Sequence, residues 1–152
     1  MKVKIKKLHK NAVVPFKIYP SDFCYDVVAT SCEEVAPNVY RYGTGLAFQI
    51  ERDDDKRAIA KTQYQLSIDA RPRSSIWKTG MVLSNCEGTI DESYTGEVCA
   101  VFYHVMPNMP KYKVGERILQ IKIGYTVPID FVVVDELSET ERGDKGYGSS
   151  GK

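Results

Sequence analysis

A carboxylate three residues before an aromatic ring, in a turn bracketed by glycines, is the combination in this sequence best suited to chemistry. Gly88-Thr89-Ile90-Asp91-Glu92-Ser93-Tyr94-Thr95-Gly96-Glu97-Val98 reads as a tight turn between two strands. Gly88 and Gly96 can take backbone angles that other residues avoid. Ile90 and Val98 are expected to face apolar surroundings, with Asp91 and Tyr94 between them in the turn. A carboxylate beside a ring can take a proton as a general base, while the ring forms a wall for a flat or sugar-like ligand. Taken alone, the same residues describe a solvated hairpin tip.

Other stretches add polar groups of matching kinds. In Arg71-Pro72-Arg73-Ser74-Ser75-Ile76-Trp77-Lys78, a hydroxyl and consecutive backbone amides after a proline make an anion cradle. Asn85 carries both a donor and an acceptor, the complement needed to read a nucleobase edge. Asp26, in Phe23-Cys24-Tyr25-Asp26-Val27-Val28-Ala29, and Gln120, on an apolar run from Ile118 to Ile123, have plain structural readings: a turn cap and an inward polar residue. Asp53-Asp54-Asp55 invites a metal site, but no glycine or glutamate completes a calcium loop there, and a solvated tip is the better reading.

The elements that must position these groups are strands. Proline, glycine and alternation dominate, and convincing helices are scarce. Val3 and Ile5 mark one face of a first strand, and the lack of an apolar core in Met1 to Lys7 argues against a secretory signal. A turn is expected at Tyr19-Pro20-Ser21-Asp22 and a strand opening at Thr44-Gly45-Leu46. Tyr64, Leu66, Ile68 and Ala70 alternate with Gln65, Ser67 and Asp69 as a half-buried strand. Residues 58–63 are ambiguous between helix and strand. A strand from Val98 to Val105, the strand from Ile118 to Ile123 and a last buried strand at Phe131-Val132-Val133-Val134 complete the set. The glycine- and serine-rich end reads as flexible.

The chain has 152 residues and a formal net charge of +1, which is one domain's worth and offers no electrostatic footprint for a nucleic acid polymer or a membrane surface. No apolar run approaches a membrane span. Cys24, Cys32, Cys86 and Cys99 have no Cys-x-x-Cys spacing and His9 and His104 are the only histidines, so neither a zinc site nor a disulfide framework is expected. Buried free thiols are expected instead.

Five of these stretches, in order, resemble the signatures of the trimeric dUTP pyrophosphatases (dUTPases). Phe23 to Ala29 is similar to Ala-Gly-Tyr-Asp-Leu-x-Ala, with Phe23 and Cys24 in place of the small pair. Pro72-Arg73-Ser74-Ser75-Ile76 is similar to Pro-Arg-Ser-Gly-Leu, with Ser75 where glycine is frequent. Gly88 to Gly96 is similar to Gly-x-Ile-Asp-x-x-Tyr-x-Gly, and Gly115 to Gln120 to Gly-Asp/Glu-Arg-Ile-Ala-Gln. Arg142-Gly143-Asp144-Lys145-Gly146-Tyr147-Gly148-Ser149-Ser150-Gly151 is similar to Arg-Gly-x-x-Gly-Phe-Gly-Ser-Thr-Gly. Against that family, the connection over 51–63 looks long, and an extended hairpin is expected there.

The resemblance implies an all-β jelly roll (the dUTPase-like β-clip), with residues 1–138 as the domain and 139–152 as a flexible C-terminal lid arm. It implies Mg²⁺-dependent hydrolysis of dUTP to dUMP and pyrophosphate in a cytoplasmic homotrimer whose active sites are shared between subunits. Asp91, Ser74 and Asp26 would be catalytic, Asp91 activating the water that attacks the α-phosphorus and Asp26 holding the metal through water. Asn85 and the backbone up to Gly88, with Ile90, would read uracil, and Tyr94 would pack under the deoxyribose. Arg73, Ser75, Gln120, Arg142, Ser149 and Ser150 would serve the phosphates, Arg73 partly as scaffold, while Tyr147 and Gly148 close over the base. The same-fold dCTP deaminases, or a bifunctional deaminase and dUTPase, remain alternatives through Arg73-Ser74-Ser75 and Glu97. A non-catalytic nucleotide-sensing or partner-binding module is a third.

Overall fold

A computed structural model describes residues 1–52 and 64–146 of the chain. Ten strands run in order: β1 (Lys2–Lys7), β2 (Tyr25–Val28), β3 (Ser31–Ala36), β4 (Val39–Gly43), β5 (Leu46–Glu51), β6 (Gln65–Pro72), β7 (Met81–Leu83), β8 (Gly88–Asp91), β9 (Cys99–His104) and β10 (Arg117–Thr126). One short 3-10 helix, Ser74–Lys78, interrupts them. The strands form three antiparallel sheets, β1-β5, β2-β10-β6-β8 and β3-β4-β9-β7. The all-β jelly roll expected from the sequence is the observed class.

Alternation explains how the second sheet divides its faces. Ile68 stands opposite Ile123 on β10 and Ile90 on β8, all on the core side. Ser67, Asp69 and Arg71 therefore point the other way, together with Gln120 and Lys122 across the ladder. Within the largely aliphatic core sits an aromatic cluster: Tyr42 and Phe102 are fully buried and meet edge to face at 5.7 Å, with Tyr112 against both. Burial raises the pKa of the Tyr42 hydroxyl, which stays protonated and donates to the Tyr112 carbonyl at 2.8 Å.

The β4–β5 connection is tied to the residue just before β9. Thr44, fully buried, donates from Oγ1 to the Val98 carbonyl at 2.7 Å, and the Val98 amide donates to Leu46. Gly45 has φ +66, and a side chain there would run into His9 and Ala12. The turn at Tyr19–Asp22 forms as expected, capped by the Asp22 carboxylate on the Tyr19 amide.

Two expectations fail. Phe131 to Val134 is not a buried strand: Phe131 is 92% and Val133 98% exposed, and among the described residues no strand pairs with the segment. The cysteines are not buried thiols either. Cys32, Cys86 and Cys99 are exposed and Cys24 is half-buried, since Cys32 lies on the wholly exposed edge strand β3 and Cys86 in a surface turn. The Asp53 to Asp55 run, residues 58–63 and most of the 51–63 connection lie outside the described residues.

Candidate active site

Asp26 is the centre of one group. It sits on β2, only 6% exposed, directly opposite Gln120 of β10. Arg73 Nε donates to its Oδ1 at 2.9 Å, Arg117 Nη1 to Oδ2 at 2.7 Å, and Gln120 Nε2 to Oδ1 at 3.4 Å. A carboxylate this far from water is tolerable only when paired in this way. Arg73 and Arg117 face Asp26 in a cleft of about 460 Å³, lined also by Tyr19, Asp22 and Phe23. Beside it, extended Arg73 turns the chain from β6 into the short helix, and its Nη1 donates to Ser75 Oγ at 3.2 Å. Ser74 opens that helix, exposed. The arrangement can hold an anion and orient its oxygens.

Arg117 is a member of this group that reading the sequence passed over. Arg117 and Gln120 are three apart, so a regular strand would send them to opposite faces. A register shift between Arg117 and Leu119 turns Arg117 onto the Gln120 side. Simple alternation therefore hides it.

The second group is the hairpin after β8. Ile90 faces the core opposite Ile68, so Asp91, opposite Ser67, faces outward and is exposed. The Tyr94 amide donates to the Asp91 carbonyl at 3.0 Å and closes the turn. Tyr94 folds back, its hydroxyl donating to the Glu97 carbonyl at 3.0 Å. A Cβ on Gly96 would lie 2.5 Å from that hydroxyl oxygen, so the glycine is there to admit the ring. Neither Gly88 nor Gly96 has a positive φ, which corrects the conformational reason expected for them. At Gly88 an added Cβ would press on Asn85 Nδ2 at 3.3 Å. Between them Cys86 adopts φ +57, and Arg71 grips the neighbouring Glu87 carboxylate. Asn85 is exposed.

Two glutamates anchor this hairpin, Glu92 passed over in the sequence and Glu97 weighed there only for a deaminase. Glu97 Oε1 accepts from the Gly45 amide at 2.7 Å. Glu92 accepts from Arg52, Nε to Oε1 at 2.8 Å and Nη2 to Oε2. The Arg52 hydrogen bond holds the Glu92 carboxyl below its ordinary pKa. Neither anchoring role is legible in sequence, because the partners lie 40 and 52 positions away.

The two groups share a sheet face but do not meet. Asp26 and Asp91 lie on the opposite edge strands, three strand spacings and four residues apart. At about 4.8 Å per strand and 3.4 Å per residue, the separation is about 20 Å. Arg142 joins neither group: its Nε donates to the Lys145 carbonyl at 3.1 Å within its own turn. Tyr147, Gly148, Ser149 and Ser150 lie outside the described residues. Among the described residues, no cluster of three or more His, Cys, Asp or Glu side chains could hold a metal, and no helix is long and apolar enough to cross a membrane.

A family model described as dUTPase matches residues 56–151. The deoxyuridine 5'-triphosphate nucleotidohydrolase of Nautilia profundicola is 34% identical, over the whole of both chains. That of Helicobacter hepaticus is 33% identical over 99% of this chain and 89% of its own. Among solved structures, a mutant dUTPase of Staphylococcus bacteriophage 80alpha with dUpNHpp superposes with a TM-score of 0.76, at 23% identity over 99% of each chain. A mutant dUTPase of phage phi11 of S. aureus, described with a structural Mg(II) ion, gives 0.67 at 16% identity, over 90% of this chain and 98% of its own.

Proposed function

This chain belongs to the dUTPase family, and from that premise we propose that it hydrolyses dUTP to dUMP and pyrophosphate, with a homotrimer as the working unit. The observation that carries the reading is the pair of guanidiniums converging on buried Asp26 beside Gln120, with Ser74 next in the chain after Arg73, a ready seat for a triphosphate. Arg73, Arg117, Gln120 and the Ser75 amide orient the phosphates, and Ser74 donates to charge developing at the α-phosphorus. Asn85 and the backbone at Gly88 and Ile90 border the uracil, and Tyr94 leaves no room for a 2'-hydroxyl. Asp91 takes the proton of the attacking water, and pyrophosphate leaves.

Asp26 has a free lone pair on Oδ2 for a water, and Asp22 shares its cleft. That donor set fits an Mg²⁺ ion held mainly by phosphate oxygens and water, touching the protein through water on Asp26. Such an ion would shield the charge of the triphosphate.

A separation of about 20 Å keeps Asp91 from any phosphate seated by Asp26 of the same chain. The hairpin of one subunit therefore serves the cleft of another. The exposed apolar run Phe131 to Val134, with no strand paired to it among the described residues, suits the same assembly. Residues 139–152 act as a lid arm that orders over nucleotide, with Arg142 at its root. Truncation after Glu141 that left turnover intact would remove the lid. Three exposed thiols, Cys32, Cys86 and Cys99, suit a reducing cytoplasm.

Glu97, which kept a deaminase open, is already engaged on the Gly45 amide, and this favours the hydrolase. The test is pyrophosphate release from dUTP, dCTP and UTP with and without Mg²⁺, with ammonia detection on dCTP. Ammonia from dCTP would turn the assignment to a deaminase. Mixing Asp91→Asn with Ser74→Ala subunits should restore partial activity; no rescue in confirmed mixed trimers would mean that each chain completes its own site.

A further inference from the structure

Asp91 stands at the last rung of an edge strand, opposite Ser67, and beyond it the chain leaves the sheet. The turn that follows is closed by bonds internal to itself, Tyr94 to Asp91 and Tyr94 to Glu97. What fixes the direction in which the chain leaves Asp91 is the next side chain. Glu92 takes the Arg52 guanidinium in a two-pronged grip and also accepts from the Leu66 amide at 3.3 Å. Arg52 is itself held: Nη2 donates to the Tyr64 carbonyl at 3.0 Å, and its guanidinium lies 5.2 Å from the centre of the Tyr64 ring, which meets Tyr125 edge to face at 6.3 Å. One side chain thus joins the end of β5, the start of β6 and the exit of β8, with the end of β10 behind them.

Building on the role proposed for Asp91, we infer that Arg52 is a positioning residue for the reaction: through Glu92 it sets the backbone, and hence the carboxylate direction, of the general base without touching nucleotide. A planar fork specifies an orientation that a point charge does not, so lysine is a poor substitute. The pair is substantially exposed, with side-chain exposures of 44% and 29%, and exposed ion pairs add little to stability. Removing it should therefore affect catalytic geometry far more than folding.

The experiment measures dUTP turnover, affinity for a non-hydrolysable dUTP analogue and melting temperature in Arg52→Ala, Arg52→Lys, Asp91→Asn and the Arg52→Ala/Asp91→Asn double variant. Arg52→Ala should lower kcat by about 10- to 100-fold, the effect of displacing a reacting group by about 1 Å. Analogue affinity and melting temperature should stay close to wild type, and Arg52→Lys should recover little. Because Arg52 acts through Asp91, Arg52→Ala should cost nothing further in the Asp91→Asn background. A full additional loss there, or unchanged kcat in Arg52→Ala while Asp91→Asn is impaired, overturns the proposal. An active Asp91→Asn overturns instead the role given to Asp91. If Arg52→Ala fails to fold, the exchanged pair Arg52→Glu/Glu92→Arg decides: recovery of kcat supports the clasp, and a folded but slow protein refutes it.

Discussion

At one corner of the β2-β10-β6-β8 sheet a carboxylate is 6% exposed and gripped by two guanidiniums and an amide; at the other, Asp91 stands in solvent on the edge strand. Both lie on the same sheet face. The Asp26 corner is assembled from three segments far apart in sequence, and its charged groups already satisfy one another. The Asp91 corner is a local hairpin whose carboxylate has room to meet something new. A phosphate seat gains from stiffness, since orientation is what it supplies. In the proposed role of general base Asp91 must stay free to take a proton, and its hairpin is instead anchored through neighbours, Glu92 and Glu97.

The comparison is broken most directly at the base. Asp91→Asn should lower turnover by about 10²–10⁴-fold while dUTP still binds, because the phosphate corner is intact. Turnover near wild type would mean that the two corners do not divide the work in this way. Ser74→Ala tests the other corner and should cost about 10²–10³-fold, the usual loss for one donor aimed at developing charge. A change confined to KM would make Ser74 a binding group only.

Gly96→Ala sharpens the picture of the hairpin. Its methyl would sit 2.5 Å from the Tyr94 hydroxyl oxygen, so the ring must swing away. UTP use relative to dUTP should rise about tenfold, with the Asp91 chemistry otherwise retained. Unchanged discrimination would move sugar reading away from Tyr94.

How legible all this was depends on range. Alternation in Leu66 to Ala70 placed β6 correctly, and the spacing from Gly88 to Gly96 marked a real turn, though for a steric reason rather than a conformational one. Arg117 was hidden by a register shift, which no periodicity announces. Arg52 and Glu92 were hidden by 40 residues of separation, and each alone reads as surface charge. Phe131 to Val134 misled because its hydrophobicity reads as a buried strand, whereas among the described residues the segment is exposed and in no strand. The cysteines misled because composition carries no information on which face of a strand each will occupy.

The smallest effect concerns the ground between the two corners. Asp69, 9% exposed on the middle strand β6, faces Lys122 of β10, which donates to Oδ2, while Ser67 Oγ donates to Oδ1 at 2.7 Å. Gly124 leaves space for the network, since a Cβ there would press on both Asp69 and Ser67. Burial alone would raise the carboxyl pKa, but the hydrogen bonds from Lys122 and Ser67 outweigh it and hold the pKa below the ordinary aspartate value. A carboxyl depressed in the fold binds its proton more readily when unfolded. Its contribution to stability is therefore complete above the ordinary value of about 4 and is lost as pH falls toward the folded pKa. Asp69→Asn leaves a partly buried ammonium without its charge partner and should cost about 1–3 kcal/mol at neutral pH, discounted toward the lower end by residual solvent access. It should also flatten the acid limb of stability against pH, measured by denaturant unfolding between pH 3 and pH 7. Turnover should fall little, because Asp69 belongs to neither corner. An acid limb as steep as in the wild type would remove Asp69 from the pH response, and a large loss of kcat in folded protein would show that the two corners are coupled through the sheet between them.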